Sequence, residues 1–558
     1  MGRKAQPRIA LLSLQNEKVP QMIIDGRDLR AGETLQADVC VVGGGPAGLT
    51  VALELERAGA RVVVLESGRF DADEGAQTLS DGPIASTHHL DGALREGRRR
   101  QFGGSTNLWL HRTDPDDGRR HARMLLPEAV DFRDWPFDRS TLLPFYERAH
   151  RTCRLGPWSY DTDRWAGGGP GPWPFERCTT VVCHYCASDV FTGRYRDDMK
   201  GSEHVTVVQN ATAVAIDSDG RSAISHVQAA CLDGPSFRVR GSTFVLAGGG
   251  VENPRLLLMA RLGNEHDLVG RNVMDHPEFR LGVVEPDSSG VFRGMAFYDL
   301  RWVDGAMVSG LLTLREEVKR REGLLNLCCM VVAKSRGAGS DTERSLKAAV
   351  AARTGGDRRG ALRHLADAMA RPAEVASVVS ARTIRRSQEH TEYVGGWSRA
   401  VRAERRFRVL ELIAATEQTP HADNRLTLSR DRDRLGIPVM QLHWRWSESD
   451  RQSIERTREI LAGDLELAGV GRFHPWVELE GPARPTFPGI HHPMGGTRMH
   501  SDPRDGVVDE HCRVHGVDNL FVAGSSLFPT GLGYANPTLT IVALAIRLAD
   551  HLKEGAGL

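Results

Sequence analysis

Asp38-Val39-Cys40-Val41-Val42-Gly43-Gly44-Gly45-Pro46-Ala47-Gly48 is the stretch on which the fold turns. Residues 38–42 form a short, mostly apolar run, as a strand of a parallel sheet covered on both faces does. It enters glycines spaced Gly43-x-Gly45-x-x-Gly48; residues 49–58 then read as a helix, and Gly59 ends it. Residues 61–65 are a second apolar strand, closed by Glu66. Strand, glycine turn, helix, strand and acid make a βαβ unit. Gly43 permits the tight turn, Gly45 lets a pyrophosphate reach the backbone, and Gly48 lets the helix pack closely on the strand. The pyrophosphate of a dinucleotide would rest on the helix N-terminus, where unpaired N–H groups favour negative charge. Glu66, 18 residues after Gly48, is placed to hydrogen-bond a ribose hydroxyl, and its carboxylate disfavours the 2′-phosphate of NADP. The turn alone does not separate FAD from NAD.

Outward from this unit, residues 205–258 also read as α/β. Strands are predicted at 205–208, 211–216, 237–239 and 243–246, the last running into Gly248-Gly249-Gly250. The final seventy residues are α/β again, with a strand at 520–523 and a long helix at 537–552. The intervening segments differ in character. Residues 114–199 are rich in Trp, Pro and Gly, 278–314 alternate as antiparallel strands do, and 341–408 are rich in Arg and Ala with short helical patterns. The alternation implies one nucleotide-binding domain interrupted by a second domain.

The chain has 558 residues, with 72 basic and 72 acidic side chains and a formal net charge of zero. That length exceeds the ~250–300 residues at which a single core stops growing, so more than one domain is expected. The charge balance excludes a broad basic face for nucleic acid and a polybasic membrane anchor. The longest apolar stretches, 243–251 and 539–549, fall short of the ~20 residues a bilayer requires, so no membrane span is expected. Residues 1–15 lack the apolar core and cleavage site of a secretory leader. Nine cysteines, an odd number in a long chain, do not suggest a secreted disulfide framework. The expected compartment is the cytoplasm.

The C-terminal blocks decide the cofactor. They are His491-His492-Pro493-Met494-Gly495-Gly496-Thr497-Arg498-Met499, Asn519-Leu520-Phe521-Val522-Ala523-Gly524-Ser525-Ser526 and Ala535-Asn536-Pro537-Thr538. Upstream stand Phe102-Gly103-Gly104-Ser105-Thr106-Asn107-Leu108-Trp109, Gly248-Gly249-Gly250-Val251-Glu252-Asn253-Pro254, and Val269-Gly270-Arg271-Asn272 with Asp275-His276-Pro277. In this order the blocks resemble those of the glucose–methanol–choline (GMC) flavoprotein oxidoreductases, over roughly residues 21–552. The resemblance implies an α/β FAD-binding domain, Rossmann-like, at 31–112, 200–276 and 494–558. It also implies a discontinuous α+β substrate domain built on an antiparallel sheet at 113–199 and 277–493, with a helical insertion at about 337–408.

The resemblance further implies oxidation of a hydroxyl group, with hydride passing to flavin N5 and a base taking the hydroxyl proton. His492 matches the family's base, with the adjacent His491 as the alternative register; an imidazole titrates near neutrality and suits the task. Asn536 matches the second position, where its amide would orient the substrate oxygen. It also reads as a helix N-cap, with Pro537 in the first turn. The helix it opens would turn its positive end toward the flavin. Gly43, Gly45, Gly48, Glu66, Gly103, Gly104, Ser105, Asn107, Gly248, Gly524, Ser525, Asn536, Pro537 and Thr538 are the expected cofactor contacts. Some family members attach the flavin covalently through a His in the glycine loop; Leu108 stands at that position, so non-covalent FAD is expected. The resemblance to bacterial sugar-oxidising members implies a sugar, glycoside or polyol as substrate, with the electron acceptor open.

Cys183-His184-Tyr185-Cys186 has a CxxC spacing, but no second ligand pair stands nearby, and buried thiols without metal are expected. His276 reads as a domain-boundary residue, and the Arg-rich stretch 344–408, offset by acids, as solvated helix faces. Two other functions remain consistent with the glycine turn: an NAD-dependent dehydrogenase, and a flavin-binding electron-transfer protein without turnover.

Overall fold

The computed structural model describes residues 22–86, 92–109, 112–113, 120–125, 134–187, 189–218, 220, 222–334, 341–354, 357–372, 375, 396–399, 407–475, 491–533 and 536–556. Most of the second half of the expected insertion, and Ala535 of the last motif block, lie outside them.

Six strands, β1 (Ile23–Asp25), β2 (Val39–Val42), β3 (Val62–Leu65), β4 (Val205–Gln209), β5 (Thr243–Leu246) and β6 (Leu520–Val522), form a parallel sheet in the order β1–β4–β3–β2–β5–β6. All residues of β2 and β3 are buried, which is why both read as unbroken apolar runs. From β2 the chain crosses through helix α1 (Pro46–Glu56) to β3 on one side, while β5 flanks β2 on the other. The carboxyl end of β2 is therefore a switch point, where a crevice opens in sheets of this kind. Gly43 turns there with φ +113°, and a Cβ on it would lie 2.5 Å from the Ala247 carbonyl oxygen. A Cβ on Gly48 would lie 2.0 Å from the Gly43 carbonyl oxygen, so only glycine lets α1 descend this close to its strand.

Helix α2 (Gly249–Ala260) follows β5, and α3 (Thr538–Ala556) ends the described chain. In α3, Leu539, Val542, Ala543, Leu544, Ala545, Ile546, Leu548 and Ala549 are buried, and the helix packs against α1 and the helix Arg139–Thr152. A helix apolar on nearly every face belongs in a core, and each large side chain buried there is worth ~1.5–3 kcal/mol.

The second large sheet is antiparallel. Its order is Gly471–Pro475, Glu278–Pro286, Val409–Thr416, Leu327–Lys334, Ala306–Leu314, Cys178–Ala187, Arg120–Leu125 and Arg112–Thr113, with Arg301–Val303 paired to Ala306–Leu314. Helix Glu448–Leu467, opened by a capping box of Ser447 and Asp450, covers its own apolar cluster on this sheet. Within 278–314 the residues 278–286, 301–303 and 306–314 form antiparallel strands, as expected, while Val291–Gly294 and Ala296–Tyr298 between them are short helices. A meander of Thr212–Ser218, Ile224–Ala230 and Ser236–Arg240 takes Thr34–Gln36 as a parallel fourth strand. The hairpin Arg425–Arg432 and Pro438–Trp444 pairs with Ile84–Ser86. Neither Ile23–Asp25 nor Thr34–Gln36 has a run long enough to be read from sequence.

Candidate functional site

A cavity of about 430 Å³ opens at the carboxyl ends of β2, β3 and β5, within the usual range of ligand sites. Three helices begin on its wall. Gly45 precedes α1 without a side-chain cap, Gly248 and Gly249 open α2, and Pro537 and Thr538 open α3. First-turn N–H groups there are free of helical partners and favour an anionic ligand.

Of the residues expected from sequence, Gly43, Gly45, Glu66, Gly104, Ser105, Gly248, Gly524, Ser525, His492, Asn536, Pro537 and Thr538 all line this cavity. Gly48, Gly103 and Asn107 stand one layer back. Gly103 donates its N–H to the Gly44 carbonyl at 2.8 Å, and the Asn107 amide donates to the carbonyls of Phe102 (2.9 Å) and Gly104 (2.8 Å). These bonds shape the 103–108 loop rather than face the cavity. Gly104 in turn approaches the α1 turn so closely that a Cβ on it would lie 3.0 Å from Gly45 Cα.

Glu66 holds the turn as well as facing the cavity. Its carboxylate accepts the N–H groups of Gly44 (2.8 Å) and Gly68 (2.7 Å) and is 5% exposed. Burial pushes its carboxyl up, opposed by those two donors and by Arg100. A Cβ on Gly249 would meet nothing within 4 Å and would stand in the cavity. Glycines at the rim, the starts of α1 and α2 without a side-chain cap and a buried acid at the end of β3 fit a dinucleotide running along the switch point.

An arginine cluster on this wall has no counterpart in the sequence reading. Glu252 on α2 pairs with Arg98 (2.7 Å), Arg100 (2.9 Å) and Arg255 (3.2 Å), and Arg255 reaches Asp433 (2.7 Å). Burial would raise the Glu252 carboxyl, but the three guanidinium groups outweigh it and hold the group well below the carboxylate range. The run Arg98-Arg99-Arg100, one residue ahead of Phe102 and the glycine loop, marks a basic segment but not its partners Glu252 and Asp433.

At the other end stand the two residues expected to do chemistry. The Asn536 amide donates to His492 Nε2 at 3.3 Å, while Asn536 Oδ1 accepts the Thr538 N–H at 3.1 Å and the Thr538 hydroxyl. The partner of Asn536 is thus His492, not His491. Asp275 anchors the histidine segment: its carboxylate, 3% exposed, accepts the main-chain N–H groups of His276 (2.8 Å), His491 (3.2 Å) and His492 (2.7 Å). His276, expected only as a domain-boundary residue, stands in the cavity wall with its ring 5.7 Å from that of His492. Its Nε2 lies against the Gly531 carbonyl and 3.1 Å from the Gly533 nitrogen, a few residues ahead of Asn536. Asp275 stands in the sequence block Asp275-His276-Pro277, where it has no role assigned to it. Leu108 also lines the cavity.

Cys183 and Cys186 are buried in the strand Cys178–Ala187, where Cys183 Sγ lies 3.2 Å from Ser309 Oγ. Among the described residues no group of three or more His, Cys, Asp or Glu is placed to hold a metal, and no disulfide joins the nine cysteines.

Comparison with known proteins bears on the same residues. Residues 420–545 match the family model of the GMC oxidoreductases, and residues 38–262 match that of the FAD dependent oxidoreductases. The large subunit of fructose dehydrogenase from Gluconobacter japonicus is 25% identical, with 94% of this chain and 100% of that one covered. The 2-methyl-1,2-propanediol dehydrogenase of Mycolicibacterium austroafricanum is 24% identical over 93% of this chain and 95% of its own. The crystal structure of pyridoxine 4-oxidase from Mesorbium loti shares the fold, with a TM-score of 0.50 at 15% identity, covering 93% of this chain and 99% of that one. The cofactor left open by the glycine turn is therefore FAD rather than NAD, and the chain is an FAD-dependent oxidoreductase whose residues 420–545 are similar to the GMC oxidoreductases.

Proposed function

We propose that this enzyme oxidises a hydroxyl group of a sugar, glycoside or other polyol to the carbonyl, with His492 as the base. The observation that carries the reading is the contact of the Asn536 amide with His492 Nε2, 3.3 Å, on the wall of the glycine-rimmed cavity. The amide N–H marks Nε2 as the imidazole nitrogen that carries the lone pair, and a substrate hydroxyl that takes the amide's place there can give up its proton to it. Asn536 keeps its own protons, and its amide N–H steadies the oxygen on which negative charge gathers. FAD, when bound, supplies the acceptor for the hydride that leaves carbon with both electrons of the C–H bond. The turn at Gly43–Pro46, Glu66, Gly104, Ser105, Gly248, Gly524, Ser525 and residues 536–538 would hold it. Leu108 offers no nucleophile to the flavin, which supports non-covalent attachment.

The sugar or polyol class rests on the relatives that are named for fructose and for a diol. The division into an FAD domain at 31–112, 200–276 and 494–558 and a substrate domain at 113–199 and 277–493 is part of the same reading, supported by the separate parallel and antiparallel sheets. Buried thiols without disulfides favour the cytoplasm. The zero net charge gives no support to nucleic acid as a partner, and among the described residues no helix is long and apolar enough to cross a membrane. Anaerobic mixing with a panel of sugars, polyols and simple alcohols, followed by flavin bleaching, tests the function. His492→Ala should slow bleaching by about 10²–10⁴-fold, the usual worth of a general base. Bleaching at the wild-type rate would remove His492 from the role. Yellow colour left in an acid-precipitated pellet would overturn non-covalent attachment.

A further inference from the structure

An amide can face its surroundings with either end, and at Asn536 the choice decides which nitrogen of His492 carries the proton. Thr538 donates twice to Asn536 Oδ1, through its main-chain N–H (3.1 Å) and its hydroxyl, which leaves Nδ2 to face His492 Nε2 at 3.3 Å. We infer that Thr538 is a positioning residue for the reaction, its hydroxyl holding the Asn536 amide in the one polarity that keeps His492 Nε2 the nitrogen with the lone pair. The inference rests on the reading of His492 as base.

With the amide turned over, its NH₂ would meet the Thr538 N–H, a group that can only donate, and its oxygen would face His492 Nε2. A neutral imidazole carries one N–H, and an oxygen at Nε2 draws that proton to Nε2. The nitrogen meant to take the hydroxyl proton would then already hold one. The Thr538 main-chain N–H opposes this turn, and the hydroxyl adds a second donor on the same oxygen. Because α3 begins at Thr538, that side chain is carried on the first turn of a buried helix, which lets it set the geometry of a residue at the end of a loop. Serine can make both bonds; valine, of similar shape, keeps only the main-chain one.

Thr538→Val and Thr538→Ser, each in the wild-type and the Asn536→Ala background, separate this role from a structural one. In the wild-type background Thr538→Val should slow anaerobic flavin reduction by about ten-fold, the scale of one hydrogen bond, and Thr538→Ser, which keeps the hydroxyl, should recover most of the rate that Thr538→Val loses. In the Asn536→Ala background Thr538→Val should slow it no further, because the amide it positions is gone. An equal loss in both backgrounds would mean that Thr538 acts through the cofactor or the helix, and an unchanged rate in the wild-type background would overturn the proposal. Carbethoxylation of His492 in the holoenzyme, followed by mass spectrometry, gives a readout independent of turnover. Thr538→Val should slow it, since the reagent attacks an imidazole nitrogen that bears a lone pair, and equal rates would overturn the proposal. Failure of the base reading itself would show differently, as wild-type flavin reduction by His492→Ala.

Discussion

Asp275 lines the cavity, and three main-chain N–H groups from two distant parts of the chain end on its carboxylate. Burial pushes that carboxyl up, while the His492 N–H and the imidazoles of His491 and His276 pull it down. Asp275→Asn turns one acceptor oxygen into a donor facing an N–H, at a local cost of about 1–3 kcal/mol. The His491–His492 turn should then loosen, and anaerobic flavin reduction should fall about ten- to hundred-fold, if that cost is felt at His492 Nε2. Flavin absorbance per protein should stay unchanged. Wild-type rates in this variant would show that Pro493 and Ser525 (2.7 Å), not Asp275, place the histidine. His492 and Asn536 could be read because each lies in a linear block of distinctive residues. Asp275 lies in such a block too, but its role could not be read, since accepting a main-chain N–H 217 residues away puts no constraint on its neighbours in sequence. His276 suffered the same way: its ring faces the cavity only because the loop at 531–533 folds back onto it.

Between elements, Asp299 ties the short segment 396–399 to the antiparallel sheet. Its carboxylate accepts the N–H groups of Leu300, Gly396 and Ser398 and the Ser398 hydroxyl. Burial pushes it from the ordinary 3.8 to about 6, against the pull of these donors. The folded carboxyl thus keeps its proton up to about pH 6, while the unfolded chain releases it near 3.8. The stability this group contributes is complete below the lower value and is lost as pH rises through the upper one. A shift of that size corresponds to about 3 kcal/mol for a fully buried group. The stability of the wild type relative to Asp299→Asn, from urea unfolding, should therefore decline between pH 4 and pH 6.5. A difference that stays level or grows would show that Asp299 is ionised throughout. At this scale the parallel core was legible, because β2, α1, β3 and α3 each carry their own signal in consecutive residues. Helix α1 begins at Pro46, ahead of the apolar run that marks it in sequence, since Pro46, Ala47 and Gly48 in its first turn carry no large apolar side chain to signal a helix. The tether at Asp299 carries no such signal: a lone acid in a loop looks solvated until the fold buries it.

Across the whole molecule, Glu252 joins parts that are far apart in the chain. It sits on α2, binds Arg98 and Arg100 ahead of the glycine loop, and shares Arg255 with Asp433 of the 425–444 hairpin. The order of the sequence blocks could reveal that the nucleotide-binding part is interrupted, because β6 from the C-terminal block pairs with β5. It could not reveal this junction, since charged residues in three separate segments carry no mark of their common destination. The network holds three guanidinium groups around two carboxylates at the cavity wall, and removing the central charge leaves like charges facing one another. Glu252→Gln should lower stability toward urea by about 3–5 kcal/mol, the usual cost of removing one partner from a buried ion pair. The affinity for FAD should fall with it, because Arg98–Arg100 lead directly into the loop that meets the α1 turn. Titrating apo-protein with FAD would separate the two effects: weaker binding with wild-type stability would place Glu252 in cofactor recognition alone, whereas lost stability with wild-type binding would confine it to the frame.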